Sequence, residues 1–107
     1  MVLGDRFGAA CAAVLPTRAE RELERLGYRV ARNAPYAGGY TTEHYGRPQR
    51  RVHALQIEIN RALYMDEARH ERLPTAGVFA RLITGLLEEM GRQAQETLQP
   101  PRPLAAE

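Results

Sequence analysis

The chain has no lysine: all 15 of its basic residues are arginine, set against 13 Asp plus Glu for a formal charge of +2. Arginine suits bidentate binding of carboxylate or phosphate where guanidinium groups cluster. Here they are dispersed from Arg6 to Arg102, as a coding preference for arginine would spread them, so no nucleic-acid surface is expected. Cysteine is nearly absent too. Cys11 alone cannot form an internal disulfide, and it lies in the small apolar stretch 9–15 with no base beside it. It therefore reads as a buried thiol of a reducing cytoplasm rather than as a nucleophile. Hydrophobic residues make up 44% of the chain but form no long run, which excludes a membrane-spanning helix. The start Met1-Val2-Leu3-Gly4-Asp5 lacks the charged and apolar regions of an export signal. At 107 residues there is room for one small domain, or for part of a larger one.

What is present is an ordered alternation of strand and helix signals. Residues 2–4 read as a strand end running into the glycine-bracketed turn Gly4-Asp5-Arg6-Phe7-Gly8, which places Asp5 and Arg6 at a carboxyl edge of the kind where open α/β sheets hold ligands. Thr17-Arg18-Ala19-Glu20 has the capping-box pattern, and Ala19, Leu23 and Leu26 form a helical stripe ended by Gly27. Residues 28–32 read as a second strand, stopped at Asn33-Ala34-Pro35 because proline removes a donor and forces extended geometry on its predecessor.

A long loop is expected over 36–51. Loops of that length inside a small domain are usually functional or disordered, and the aromatic content of this one argues against disorder. The segment 52–60 alternates apolar and polar residues and predicts a strand, followed by a short turn or helix at 61–67. From about Thr75 to Thr97, Val78, Leu82, Leu86 and Met90, with Phe79, Ile83 and Leu87 beside them, predict a long amphipathic helix. Residues 1–98 thus form one α/β unit, a partial sheet flanked by helices, and the proline-rich 99–107 reads as a disordered tail. So apolar a helix needs more sheet than three short strands provide, which implies that part of the domain lies elsewhere.

Period two puts Gln56, Glu58 and Asn60 on one face of the strand and Leu55, Ile57 and Ile59 on the other. A carboxylate between two amides could be a general base, if its strand is inner and its face walled, or an ordinary polar side chain of an edge strand facing water. His44, His53 and His70 invite a metal reading, but His53 alternates away from Glu58. No HxxE or HxxxH pair falls on an expected helix, so no complete metal site is expected within the chain. Gly38-Gly39 lacks the following helix of a phosphate cradle and reads as a turn. Arg61, at the strand's carboxyl end, could grip a substrate carboxylate or simply face water.

The blocks Val2 to Gly8, Arg29 to Thr42, His44-Tyr45-Gly46-Arg47-Pro48 and His53 to Glu67 resemble the carboxyl-terminal third of the N-formylglutamate amidohydrolase family. The resemblance runs to about residue 90. It implies a zinc-carboxypeptidase-like three-layer fold and the hydrolysis of a small N-acyl amino acid, N-formyl-L-glutamate, to formate and glutamate late in histidine breakdown. A zinc-activated water would be the nucleophile and Glu58 its base. Arg6, Tyr40, His44 and Arg61 are the candidates for holding the substrate carboxylates. The family's metal ligands belong to segments not matched here, so this stretch by itself is expected to be inactive. The alternative is a non-catalytic module that binds a partner, or itself, through an exposed sheet edge and apolar helix faces.

Overall fold

A computed structural model describes residues 1–98; the expected disordered tail, 99–107, lies outside them. Three short strands form one sheet: β1 (Val2–Gly4), β2 (Ala31–Arg32) and β3 (Gln56–Glu58), in the order β2-β1-β3. β1 runs parallel to β2 and antiparallel to β3, with Val2 opposite Glu58, Leu3 opposite Ile57 and Gly4 opposite Gln56. The α/β expectation holds, with shorter strands than periodicity indicated. Tyr28 and Val30, expected in β2, pack instead against the core, and of the strand expected over 52–60 only Gln56–Glu58 pairs.

Helix α1 (Val14–Arg25) starts three residues before the expected capping box. Its N-cap is Ala13, with no side-chain cap, and Pro16 sits in the first turn, where its missing N–H leaves no bond unmade. The stop is as expected. Gly27 is left-handed at φ +95°, Tyr28 N–H donates to Leu23 O at 3.0 Å and Gly27 N–H to Glu24 O at 2.9 Å. This is the paired bonding of a Schellman motif.

The expected loop 36–51 contains a six-residue helix, α2 (Tyr40–Tyr45), and a single 3-10 turn at Pro48–Arg50. A second 3-10 turn, Arg61–Leu63, is capped by Asn60 Oδ1 accepting from Ala62 N–H at 3.0 Å. An unexpected hairpin follows, β4 (Met65–Asp66) against β5 (Glu71–Arg72). Asp66 Oδ1 opens its turn by accepting from the Ala68 and Arg69 amides, the Asx-turn chemistry of a short acidic residue.

Helix α3 (Ala76–Thr97) matches its expected span. Its inner stripe is rotated from the expected one: Phe79 and Leu86 are buried and Ile83 and Met90 pack beside them, whereas Val78 and Leu87 remain 50% and 54% exposed. Leu3, Ala19, Leu23 and Leu86 form the fully buried centre, with Leu55 and Ile57 packed against it. Both long helices therefore cover the Leu3–Ile57 face of the sheet. Gln56 and Glu58 project from the other.

Candidate active site

The turn after β1 is built around a buried carboxylate. Asp5 is 2% exposed; its Oδ1 accepts from Asn33 Nδ2 at 2.8 Å and Gly8 N–H at 3.1 Å, and its Oδ2 faces Arg32 Nη2 at 3.5 Å. A buried carboxylate without such donors would cost several kcal/mol. Asn33 Oδ1 in turn accepts from the Asp5 and Phe7 amides. The network holds Arg6 and Phe7 at left-handed φ of 54° and 57°, which non-glycine residues adopt only when their surroundings impose it.

Held in this way, Arg6 binds the loop that precedes α2. Its N–H donates to Ala37 O at 2.8 Å and its Nη1 to Gly38 O at 3.2 Å. The loop comes so close to β1 that a Cβ on Gly4 would lie 2.6 Å from Ala37 C and 2.7 Å from Gly38 N. Only glycine permits that approach. Across the sheet from Gly4, Gln56 reaches the same loop: Gly39 N–H donates to Gln56 Oε1 at 2.9 Å, and Gln56 Nε2 donates to Glu58 Oε1 at 2.7 Å.

Glu58 is half-buried and, among the described residues, its strand borders the sheet rather than lying inside it. The expectation of an inner strand therefore does not describe these residues. The expected shared face of Gln56 and Glu58 does. Tyr40 and His44, one turn apart on α2, stack with ring centroids 4.9 Å apart, and both are exposed. Arg6, Tyr40, His44 and Glu58 are thus joined by one loop and its hydrogen bonds. Arg61 is not part of that system: it lies beyond the end of β3, 68% exposed, with Nε 3.1 Å from Glu67 Oε1. His53 ties the chain ahead of β3 to residues 10–12, its Nδ1 accepting from Ala12 N–H at 3.0 Å.

Gln56 shares the face of Glu58, as strand alternation indicated, and Asp5 lies in the turn expected at the sheet's carboxyl edge, though neither is among the expected catalytic or substrate-binding residues. Asn33 carries no such signal, because its meeting with Asp5 depends on β1 and β2 lying side by side. Burial pushes the Cys11 thiol up to about 11, with Asp5 adding to the shift and Arg32 opposing it, so Cys11 is a packed side chain and no nucleophile. Among the described residues no group of three or more His, Cys, Asp or Glu side chains is placed to hold a metal ion, and no helix is long and apolar enough to cross a membrane.

The chain has known counterparts. The chain is 41% identical over 66 residues to an N-formylglutamate deformylase of Pseudomonas aeruginosa, a match covering 61% of this chain and 25% of that one. It is 37% identical over 92 residues to an N-formylglutamate deformylase of Pseudomonas putida, covering 79% and 34%. The crystal structure of N-formylglutamate amidohydrolase from Ralstonia eutropha JMP134 superposes with a TM-score of 0.72 at 46% identity, covering 88% of this chain and 32% of that one. The chain thus spans between a quarter and about a third of the length of these relatives. The match to the family model described as N-formylglutamate amidohydrolase covers residues 1–65, more than half of the sequence and all of the loop, Gln56 and Glu58, and the chain belongs to that family.

Proposed function

We propose that these residues form the base-bearing part of an amidohydrolase site that cleaves N-formyl-L-glutamate to formate and L-glutamate. One observation carries the reading: Glu58 is held by Gln56 beside a loop that Arg6 grips from the turn after β1 and that leads into Tyr40 and His44 on α2. Glu58 accepts a proton from a water whose oxygen attacks the formyl carbon. It then returns that proton to the amide nitrogen as the C–N bond breaks and the amine leaves. Both roles suit a half-buried carboxylate whose single described donor leaves lone pairs free. Arg6, which grips the loop through its backbone and side chain, is the first candidate for a substrate carboxylate; Tyr40 and His44 offer hydrogen bonds from α2, and Arg61 a second guanidinium if Glu67 releases it.

Zinc enters this reading only through the family resemblance. The described residues do not fit a metal site, so the ion would be held by the part of the family's chain that these residues do not span. The zinc-carboxypeptidase-like three-layer architecture, a place late in histidine breakdown and a cytoplasmic setting belong to the same proposal, supported by the family alone.

A second reading is a non-catalytic module that docks on a partner or on its own copy. It is favoured by an apolar groove of about 900 Å³ between the β4–β5 hairpin and α3, lined by Ile59, Tyr64, Met65, Leu73, Phe79 and Ile83. One experiment separates the two. Residues 1–98 replace the matching third of the Ralstonia eutropha relative, and formate release from N-formyl-L-glutamate is measured beside the isolated chain. We expect turnover in the chimera and none in the isolated chain, with Glu58→Gln lowering the chimera's kcat by about 10²- to 10⁴-fold. Wild-type rates with Gln at position 58 would sink the assignment of the base; a folded chimera without turnover would favour the module.

A further inference from the structure

The Gln56 amide has one acceptor end and one donor end, and its two neighbours allow only one orientation. Gly39 offers an N–H, so Oε1 must face it; Nε2 is then turned to Glu58, which accepts. We propose that Gln56 is a positioning residue that ties the Glu58 carboxylate to the Gly39 amide, so that the base and the α2 loop keep one spacing. This rests on the reading of Glu58 as the base.

Three features make the tie more than a surface hydrogen bond. Gly39 is the N-cap of α2, so the amide held by Gln56 sets where Tyr40 begins and, one turn later, where His44 lies. The loop is pinned on its other side by Arg6, through Ala37 O and Gly38 O, and it lies against Gly4, the cross-strand partner of Gln56. Gln56 therefore closes a frame that Arg6 and Gly4 hold from the β1 side. Gln56 also engages Glu58 through Oε1, which leaves Oε2 as the oxygen to take up a proton. An amide in this place orients the carboxylate without competing for that proton, because it neither gains nor loses one itself.

Two variants test the two halves of the tie. Gln56→Leu removes both hydrogen bonds; Gln56→Glu keeps an acceptor for Gly39 but sets a second carboxylate against Glu58. In the 107-residue chain, hydrogen exchange at the Gly39 amide should speed up about 10-fold in Gln56→Leu and little in Gln56→Glu, with the Leu3 amide unchanged in both. In the chimera, both variants should lower kcat about 10- to 100-fold with KM within about 2-fold. In a Glu58→Asp background, whose shorter carboxylate leaves the reach of Gln56, Gln56→Leu should cost less than about 2-fold more.

Equal Gly39 protection in wild type and Gln56→Leu, a wild-type kcat in either variant, or an undiminished loss in the Glu58→Asp background overturns the proposal. If Gln56→Leu does not fold, Gln56→Glu decides by its kcat. The Gly39 exchange rate does not depend on turnover, and the failure of Glu58 as base shows separately, as wild-type activity of the Glu58→Gln chimera.

Discussion

Asn33 and Asp5 clasp each other from the ends of two neighbouring strands: Asn33 Nδ2 donates to Asp5 Oδ1 at 2.8 Å while the Asp5 N–H donates to Asn33 Oδ1 at 3.0 Å. Because Asp5 is 2% exposed, the clasp is both a fold element and the base of the turn that aims Arg6. Replacing Asn33 by Ala leaves a buried carboxylate short of a donor, and a loss of about 2–4 kcal/mol in unfolding free energy is expected. Asn33→Gly, which keeps the left-handed φ of 61° accessible, isolates the side chain's share. Chemical denaturation of the two variants checks it, and equal stability to wild type would remove the clasp from the account.

Two glycines should respond in opposite directions to alanine. At Gly4 a Cβ would lie 2.6 Å from the Ala37 carbonyl carbon, backbone that has no freedom to retreat, so Gly4→Ala should cost about 1–3 kcal/mol. At Gly85, inside α3 with nothing within 4 Å of its would-be Cβ, alanine should add about 0.5–1 kcal/mol through its better helix propensity. Thermal melts of both single variants read the contrast.

Cys11 makes stability fall at alkaline pH. Its thiol titrates near 11 in the folded chain against 9.0 for the unperturbed group, so above pH 9 the unfolded state releases a proton that the native state keeps. Stability attributable to Cys11 is full below pH 9 and is lost as pH rises towards 11. Comparing Cys11→Ala with wild type at pH 8 and pH 11 isolates this slope from tyrosine titration; parallel curves would refute it. Native Cys11 should also react slowly with thiol reagents at neutral pH.

Arg61 and Arg6 should separate by readout. Arg61 is exposed and pairs with exposed Glu67, an arrangement contributing between zero and about 1 kcal/mol, so Arg61→Ala should melt within a few degrees of wild type. Arg6 bonds two loop carbonyl oxygens through its backbone and side chain, and Arg6→Ala should loosen the loop as well as weaken substrate binding. In the chimera, a raised KM with unchanged melting for Arg61→Ala supports its candidacy as a carboxylate contact; unchanged KM removes it.

Much of the fold was legible where the signal is local. The span of α3 follows from apolar residues at helical spacing, and the end of α1 from Gly27, whose left-handed conformation closes a helix wherever it occurs. The shared face of Gln56 and Glu58 follows from strand alternation. The start of α1 and the helix inside the loop were missed, since burial of Pro16 and Leu15 and the seating of Thr42 depend on residues distant in sequence; the β4–β5 hairpin was missed because each of its strands is two residues long, too short to carry an alternation. The rotated stripe of α3 has the same cause: a helix's apolar band is wider than its contact, and the partner chooses which part is buried.

By itself the sequence determined the chemistry available: one carboxylate between amides, a loop rich in glycine and aromatic residues, no lysine and one cysteine. Only the tertiary structure decided which of these groups meet. Gly4 lacks a side chain, so the loop could settle on β1, and the antiparallel register then set Gln56 opposite Gly4 with its amide between Gly39 and Glu58. Strand pairing sums many weak contacts over residues far apart in the chain, and no local pattern encodes that sum.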